Sequence, residues 1–326
     1  MHNVVVTFST NSELRGPLLK VLEQVARVVF LSDLSPEDRA KELGKADALI
    51  SWSIERELQP AEFDVISQAR MLQLLSAGAD HIPFSKLPPN LTIASNAGAY
   101  SEPIAEHILA MVLAVRKNLM DRHNKLKDGI FDQQNMNRML HGSSCAILGF
   151  GGIGKATARR MRCLGVKIYA INTSGKTDER VEFIGTLKDL EYVLRRTDIV
   201  VVALPLTNST RGLISGRELS WMKSDAILVN VARGDIIDEA ALYEKLKADV
   251  NFTAAIDTWW VEPLRHGKFT TKYPFLELRN FLGSPHNSGL VPESFETAIV
   301  CAAENVKRFL TSEPIVGIVR RSDYVQ

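Results

Sequence analysis

The sequence predicts an α/β protein with two doubly wound parallel sheets, each covered by helices. Apolar, strand-like runs alternate with helix-like segments over about the first 95 residues, and a second alternating series runs from Cys145 to Pro285. Strands that alternate with helices are typical of parallel sheets, because every parallel crossover needs a connecting segment. The chain has 326 residues, a length that commonly holds two domains.

The first series supplies the smaller sheet. Strands are expected at residues 4–8, 28–30, 48–52, 72–75 and 92–94, and helices at 14–25, 36–43 and 60–69. A long helix is expected over 101–119, with Ser101 as its N-cap. Apolar residues lie on all sides of this helix, so we expect it to be buried, and His107 with it.

A glycine-rich turn opens the second series. Residues 146–154 read Ala-Ile-Leu-Gly-Phe-Gly-Gly-Ile-Gly, a Gly-x-Gly-x-x-Gly pattern directly behind an apolar run. A helix-like segment follows at 155–164, closed by Gly165 in a position that favours the left-handed conformation, and a strand-like run lies at 166–171. Strand, tight turn, helix and strand within about 30 residues form the setting that a dinucleotide-binding turn requires.

This turn is the predicted site of a pyrophosphate. Gly149 permits the turn, Gly151 lets backbone amides approach the phosphates, and Gly154 lets the helix pack against the strand. The helix N-terminus adds unpaired N–H groups and a partial positive charge. The predicted contacts are Gly149, Gly151, Gly152, Ile153 and Gly154.

The rest of the chain completes the second sheet and then returns to the first. Strands are expected at 198–204, 226–231, 252–256 and 281–283, with a helix at 239–247. A last helix at 293–310 is followed by too little chain to build a domain, so we expect it to fold back on the first series. The predicted domains are therefore residues 1–97 with 290–326, and residues 98–289.

Reactive side chains follow successive strands of the second sheet. Arg233 follows one strand, Asp257 and then Glu262 follow the next, and His286 follows the last. Because the carboxyl ends of parallel strands meet at one edge, we expect Arg233, Glu262 and His286 to converge there. A histidine can give a proton to a carbonyl that accepts a hydride, and a neighbouring carboxylate favours the protonated ring. An arginine can hold a carboxylate through two hydrogen bonds.

Composition argues against several other classes of protein. The net charge is +1 and 45% of the residues are apolar, which gives no reason to expect a nucleic-acid or membrane partner. Neither a signal peptide nor an 18-residue apolar stretch is recognisable.

Cys145, Cys163 and Cys301 are far apart, which indicates a reducing cytoplasm, with the first two expected in the core. No cluster has the spacing of metal ligands, so no metal is expected.

Motifs over almost the whole chain resemble those of the D-isomer-specific 2-hydroxyacid dehydrogenases. They lie at residues 76–80, 96–98, 105–107, 148–154, 204–207, 229–235, 257–263 and 284–286, in the family's order. The resemblance implies two Rossmann-like domains, a doubly wound dinucleotide-binding domain inserted into a smaller flavodoxin-like substrate domain. It implies hydride transfer between NAD(P)H and a small 2-oxo acid or D-2-hydroxy acid. It also implies a homodimer joined through the dinucleotide domain, which would explain the apolar helix at 101–119.

The same resemblance implies roles for individual residues. Arg233, Glu262 and His286 match the family's catalytic residues, and the first and last of these also contact substrate. Asp257 matches the acid that contacts the nicotinamide carboxamide. The further matches are Ala77, Gly78 and Ala79 for the substrate carboxylate, and Leu204, Pro205, Val231 and Ala232 for the cofactor.

Two departures from the family pattern bear on specificity. NAD enzymes of this fold carry an acid for the ribose 2′-hydroxyl about 20 residues after the glycines, and none stands here. The loop instead has uncharged and basic side chains, which favour NADP, with NAD left open. Trp259 and Trp260 are the second departure from the family pattern. Their side chains either line the substrate pocket or pack inside the domain. The candidate ribose-phosphate contacts are Asn172, Thr173, Ser174 and Lys176.

Two other functions fit parts of the pattern. A nucleotide-sensing, non-catalytic corepressor of the kind that resembles this family would keep Arg233, Glu262 and His286. A formate dehydrogenase would carry Gln in place of Glu262, so that residue argues against it. The substrate stays open among glyoxylate, hydroxypyruvate, 3-phosphohydroxypyruvate and larger 2-oxo acids.

Overall fold

Two parallel β-sheets organise the computed structural model, which describes residues 1–325. The strands are β1 (His2–Val6), β2 (Ala26–Phe30), β3 (Ala48–Ser51), β4 (Met71–Leu74), β5 (Thr92–Ala94), β6 (Ser144–Leu148), β7 (Lys167–Ile171), β8 (Phe183–Gly185), β9 (Ile199–Val202), β10 (Ile227–Asn230), β11 (Thr253–Ile256) and β12 (Phe281–Gly283). The helices are α1 (Ser12–Leu22), α2 (Pro36–Leu43), α3 (Ile54–Glu57), α4 (Glu62–Val65), α5 (Ser101–Arg116), α6 (Leu119–Lys127), α7 (Gly152–Cys163), α8 (Leu190–Leu194), α9 (Gly216–Trp221), α10 (Glu239–Ala248), α11 (Pro263–His266) and α12 (Ser294–Leu310).

The first sheet has the strand order β2-β1-β3-β4-β5, with every pair parallel. This is the flavodoxin-like doubly wound order, so the predicted fold class of the smaller sheet is confirmed. All four residues of β3 and all four of β4 are buried, as expected of strands covered on both faces. Helix α12 packs on α1, β3 and β4, so the last helix completes this unit as predicted.

The second sheet has seven parallel strands in the order β12-β11-β10-β9-β6-β7-β8. Counted from β8, this is the strand order of dinucleotide-binding folds with one strand added beyond the sixth. Strands β7 and β8 are added on one side of β6, and strands β9 to β12 are added on its other side. Ligands of such sheets bind outside the carboxyl ends of the strands where this order reverses, between β6 and β9. The predicted α/β class with a Rossmann-like sheet is therefore confirmed.

The chain divides into two compact units. One contains residues 1–100 and 291–326, and the other contains residues 101–290. The sequence-based division ends the first segment at residue 97 rather than 100 and resumes it at 290 rather than 291. Within residues 1–325, none of the helices combines the length and the apolar character needed to cross a bilayer.

The structure corrects several local predictions. The helix expected at 60–69 is only the short α4, followed by a 3₁₀ turn at Ile66–Gln68. Helix α5 ends at Arg116 rather than at residue 119. Ser101 is its first residue, and the hydroxyl has no hydrogen-bond partner among residues 1–325, so the predicted N-cap was wrong. Cys163 is exposed rather than in the core, because it lies on the outer face of α7, whereas Cys145 is buried.

Helix α5 buries one face inside its own unit. This helix packs on α7 and on strands β10 and β11. Its buried apolar residues are Ile104, Ala105, Ile108, Met111 and Val112. These contacts account for the buried face of the helix, whereas Leu109, Leu113 and Val115 are half-buried, and the subunit interface inferred from the sequence stays a prediction.

Candidate active site

The glycine-rich turn joins β6 to α7. Gly149 has a φ of +99°, and a Cβ atom there would overlap the carbonyl oxygen of Ala203, so only glycine fits. A Cβ atom on Gly154 would overlap the carbonyl oxygen of Gly149, so glycine also lets α7 approach the turn. The amides of Gly149 and Phe150 each donate to the Ile171 carbonyl at 3.0 Å, which ties the turn to the end of β7.

The turn leaves both space and hydrogen-bond donors for a phosphate. A Cβ atom on Gly151 would meet no heavy atom within 4 Å, so the backbone is open here. Gly151 and Gly152 are exposed and Ile153 is half-buried. Helix α7 begins at Gly152, and the first N–H groups of a helix have no partner inside it. These residues fit a dinucleotide, whose pyrophosphate would meet the amides and the positive end of α7.

The loop at 172–176 follows directly on β7. The Asn172 Oδ1 accepts the amides of Ser174 and Gly175 at 3.1 and 2.7 Å, and its Nδ2 donates to the Lys176 carbonyl at 2.8 Å. Asn172 therefore shapes its own loop. Thr173, Ser174 and Lys176 are exposed, and the Lys176 ammonium makes no ion pair with any other residue that the structure describes.

The other predicted cofactor contacts follow β9 and β10. Leu204 is half-buried and Pro205 is exposed in the loop after β9. Val231 and Ala232 are buried directly after β10. All four lie beyond the carboxyl ends of neighbouring strands, the edge where ligands of such sheets bind.

A buried asparagine holds the turn that leads to Arg233. Asn230, the last residue of β10, is completely buried. Its Oδ1 accepts the Ala232 amide at 3.0 Å and its Nδ2 donates to the Arg233 carbonyl at 2.9 Å. From the sequence, Asn230 was recognised only as part of a motif. A polar residue at the end of an otherwise apolar strand was the signal that could have identified it.

Gly234 lets the loop after β10 lie against the loop after β11. A Cβ atom at Gly234 would overlap the backbone carbonyl of Trp259 and lie 2.5 Å from the Trp260 nitrogen. Neither backbone atom can move aside as a flexible side chain could. The absence of a side chain at this position therefore keeps the segments of Arg233 and Glu262 together.

Glu262 and His286 form the pair that the sequence predicts. The Glu262 Oε2 lies 2.8 Å from Nδ1 of His286, and its Oε1 accepts the Trp259 amide at 2.7 Å. Glu262 is buried, whereas the His286 side chain is 41% exposed. The His286 Nε2 has no hydrogen-bond partner within the described chain. With Nδ1 held by the carboxylate, Nε2 is the nitrogen that can exchange a proton with a ligand.

Opposing effects decide the ionisation of Glu262. Burial acts to raise the pKa of this carboxyl. The hydrogen bond and the charge interaction with His286 oppose burial, as do the Trp259 amide and the charge of Arg233. The net result holds the pKa of Glu262 below its ordinary value, so the carboxylate is ionised at neutral pH. Glu262 thus contacts His286 directly, and it interacts with Arg233 through the attraction between their opposite charges.

Asp257 lies directly after β11 and is completely buried. Its carboxylate accepts hydrogen bonds from Ser284, Asn287 and Ser288, all in the segment that carries His286. From the sequence, Asp257 was expected only to contact the cofactor. Hydrogen bonds between two loops leave no pattern in the sequence that could have predicted this second set of contacts.

Both tryptophans pack inside the second unit. The Trp259 indole donates to the Ser284 carbonyl at 2.8 Å and meets Phe269 edge-to-face. The Trp260 indole donates to the Ile237 carbonyl at 2.7 Å and stacks on Phe275. These contacts account for both side chains as packing residues, one of the two readings that the sequence left open.

His107 was expected to be buried, and this was wrong. Its side chain is 26% exposed, and its Nε2 lies 3.0 Å from the Ser284 hydroxyl. The helix turns this residue away from its apolar contacts and toward the segment that follows β12.

Within residues 1–325, no group of three His, Cys, Asp or Glu side chains could hold a metal ion.

The loop after β4, in the first unit, contains the predicted carboxylate contacts. Ala77 is exposed, Gly78 is half-buried and Ala79 is buried. The Ser76 hydroxyl donates to the Gly78 carbonyl at 2.8 Å and so fixes the loop. None of the three amides from Ala77 to Ala79 donates to another residue of the described chain. Unpartnered amides of this kind are suited to an anionic ligand.

Comparison with known proteins identifies the family. The model of the D-isomer specific 2-hydroxyacid dehydrogenase NAD binding domain matches residues 109–288, more than half of the chain. The chain belongs to this family. The resemblance stated from the motifs is thereby confirmed, and the matching model is that of the family's NAD binding domain.

Individual dehydrogenases extend the match to nearly the whole chain. The D-3-phosphoglycerate dehydrogenase of Methanocaldococcus jannaschii is 29% identical over 329 residues, covering 99% of this chain and 61% of that protein. The hydroxypyruvate reductase of Thermotoga maritima is 30% identical, covering 68% of this chain and 72% of that protein. A glycerate dehydrogenase related protein from Thermoplasma acidophilum has a solved structure that is 31% identical, with a TM-score of 0.66, covering 94% of this chain and 99% of that one. The chain spans less than two thirds of the length of that phosphoglycerate dehydrogenase.

Proposed function

We propose that this chain interconverts a small 2-oxo acid and the corresponding D-2-hydroxy acid with NAD(P)(H). The observation that carries the proposal is the 2.8 Å contact between Nδ1 of His286 and the buried carboxylate of Glu262, with Nε2 left open. A proton donor held in one orientation by a carboxylate is what the reduction of a carbonyl group requires.

Each of the three side chains then has a distinct role. When bound, the nicotinamide ring supplies the hydride that adds to the carbonyl carbon. His286 donates the Nε2 proton to the carbonyl oxygen during reduction and accepts it back during oxidation. Glu262 stays ionised and stabilises the protonated ring. Arg233 holds the substrate carboxylate by charge-assisted hydrogen bonds and polarises the adjacent carbonyl.

The dinucleotide would be held by the turn and by the strand ends beside it. Its pyrophosphate would be bound by the amides of Gly151, Gly152 and Ile153, and the open backbone at Gly151 supports this assignment. The remaining cofactor contacts are assigned to Gly149, Gly154, Leu204, Pro205, Val231, Ala232 and Asp257. The dinucleotide-binding domain is then residues 98–289.

We further propose that NADP is preferred over NAD. No acid follows β7 at the position that would bind a ribose 2′-hydroxyl. The exposed ammonium of Lys176 and the hydroxyls of Thr173 and Ser174 supply a charge and donors for a 2′-phosphate. Asn172 holds these residues in one loop through its own hydrogen bonds.

In the first unit, we assign binding of the substrate carboxylate to the amides of Ala77, Gly78 and Ala79. Their lack of partners within the described chain supports this role. Residues 1–97 with 290–326 are then the substrate domain.

A net charge of +1 gives no support for a nucleic-acid partner, and three unpaired cysteines are compatible with a cytoplasmic enzyme.

The enzyme is proposed to work as a homodimer joined through the dinucleotide domain. Support comes from an exposed apolar segment within residues 119–139, in which seven apolar residues are between 52% and 92% exposed. Concentrations of exposed apolar surface are typical of interfaces. Its members are Leu119, Met120, Leu126, Ile130, Phe131, Met136 and Met139.

A kinetic panel tests the proposal. The purified chain is assayed with glyoxylate, hydroxypyruvate, 3-phosphohydroxypyruvate and larger 2-oxo acids, each with NADH and with NADPH, beside the His286→Ala variant. We expect turnover of at least one acid and its loss in the variant. Cofactor binding without turnover of any acid would instead favour the nucleotide-sensing, non-catalytic alternative.

A further inference from the structure

The segment that carries His286 is held by one buried carboxylate. The Asp257 Oδ1 accepts the Ser284 hydroxyl at 2.5 Å and the Asn287 amide at 3.2 Å, and its Oδ2 accepts the Ser288 amide at 3.2 Å. The backbone carbonyl of Asp257 also accepts the His286 amide at 2.8 Å. Asp257 therefore joins the end of β11 to residues 284–288 through four hydrogen bonds.

His107 extends this cluster to α5. Its Nε2 lies 3.0 Å from the Ser284 hydroxyl oxygen and 3.8 Å from the Asp257 carboxylate. A carboxylate only accepts hydrogen bonds, so the Ser284 proton points to Asp257, and the hydroxyl oxygen is left to accept from His107. The direction is thus His107 to Ser284 to Asp257.

The backbone of His286 needs this support. Its φ is +51°, in the left-handed region, where the Cβ atom of a non-glycine residue crowds the following carbonyl oxygen. Such a conformation persists only where the surrounding structure imposes it. The amides of residues 286, 287 and 288 are all held by Asp257, and the Trp259 indole holds the Ser284 carbonyl from the other side.

We propose that His107 and Ser284 are positioning residues for the reaction. They orient the Asp257 carboxylate, which holds the 284–288 segment and so sets where the His286 imidazole points. The inference rests on the proposed function, because it assumes that His286 is the proton donor. It adds a role for His107, which lies on α5, 177 positions before Ser284 in the chain.

The test compares two side chains of the same shape at residue 284. Ser284→Thr keeps the hydroxyl, whereas Ser284→Val replaces it by a methyl group. We expect Ser284→Val to lower kcat about 10- to 100-fold, because a small misplacement of a reacting group costs that much. The KM for the 2-oxo acid and the Kd of the cofactor should change less than about twofold. Ser284→Thr should restore kcat to within about threefold of the parent.

The second arm asks whether His107 acts through the same hydroxyl. His107→Phe should lower kcat, as Ser284→Val does, and should leave the KM for the 2-oxo acid little changed. In the Ser284→Val background it should cause no further loss, because the shared contact is already gone. A double variant whose losses multiply would show that His107 does not act through Ser284, and would overturn the proposal.

Hydrogen exchange provides a readout that needs no turnover. The amides of residues 286–288 should exchange about fivefold faster or more in Ser284→Val than in Ser284→Thr, as expected for the loss of one hydrogen bond. Equal exchange in the two variants, or equal kcat, would overturn the proposal. If instead His286→Ala retains activity while exchange behaves as expected, the proposed acid role fails and the holding role of Asp257 stands.

Discussion

The imidazole of His286 lies 2.8 Å from the carboxylate of Glu262, although 24 positions separate the two residues in the chain. Glu262 belongs to the loop after β11 and His286 to the segment after β12, and these strands are parallel neighbours. Parallel neighbours end at the same edge, which is why the two loops meet. Burial of Glu262 and the left-handed backbone of His286 complete the arrangement.

The first prediction concerns His286 itself. His286→Ala should lower kcat by at least about 100-fold, the lower end of the usual contribution of general acid–base catalysis. Cofactor affinity should change little, because the dinucleotide is held by the glycine turn. Steady-state kinetics and a fluorescence titration with NADPH measure the two quantities. A variant that keeps most of its activity would exclude His286 from the reaction.

The second prediction concerns pH. The pKa of Glu262 is held below its ordinary value, so its negative charge is lost only as the pH falls below the usual carboxyl range of about 4.3. Glu262→Gln removes that charge at every pH and makes the protonated ring of His286 less favourable. The alkaline limb of the pH–rate profile for 2-oxo acid reduction should therefore move to lower pH. An unchanged profile would contradict the pairing.

Cofactor choice gives the third prediction. Lys176→Met should lower kcat/KM for NADPH by roughly 5- to 150-fold, the effect of losing one close charge contact, with little change for NADH. Lys188→Met, at another exposed lysine of the same unit, is the control. Asn172→Asp should shift the preference toward NADH, because a carboxylate repels the 2′-phosphate. A parent chain that prefers NADH tenfold or more would refute the preference for NADP.

The fourth prediction tests the contact beneath Arg233. Gly234→Ala places a methyl group against the backbone of Trp259 and Trp260, and should destabilise the fold by about 1–3 kcal/mol. Gly216→Ala is the matched control, because a Cβ atom there meets no heavy atom within 4 Å. Urea unfolding of both variants measures the difference. Equal stabilities would mean that the two loops can separate without cost.

The fifth prediction concerns assembly. Phe131 is 76% exposed in the apolar segment at 119–139, and Phe131→Asp should convert the proposed dimer to monomers. Val250→Asp changes an equally exposed apolar residue (77%) outside that segment and should leave the dimer intact. Light scattering after size-exclusion chromatography gives the masses. A monomeric parent, or a dimer that survives Phe131→Asp, would argue against an interface here.

Much of the fold was predictable because it depends on local patterns. Apolar runs predicted β5 and β12 at their observed bounds, and α2 also lies at the predicted residues 36–43. Gly149 and Gly165 have the positive φ that their places in the pattern imply. The short β8 was missed, since three residues of modest apolar character give no periodic signal.

The sequence by itself determined which side chains could do chemistry, because Arg233, Glu262 and His286 each follow a strand of one parallel sheet. Tertiary structure alone decided how they are held. The contacts of Asp257 with residues 284–288, the packing of Trp259 and the reach of His107 to Ser284 join segments 25 to 177 positions apart. Such contacts depend on strand order and on the angle at which α5 packs. Neither leaves a local pattern, so the sequence predicted His107 as buried while the fold turned it toward Ser284.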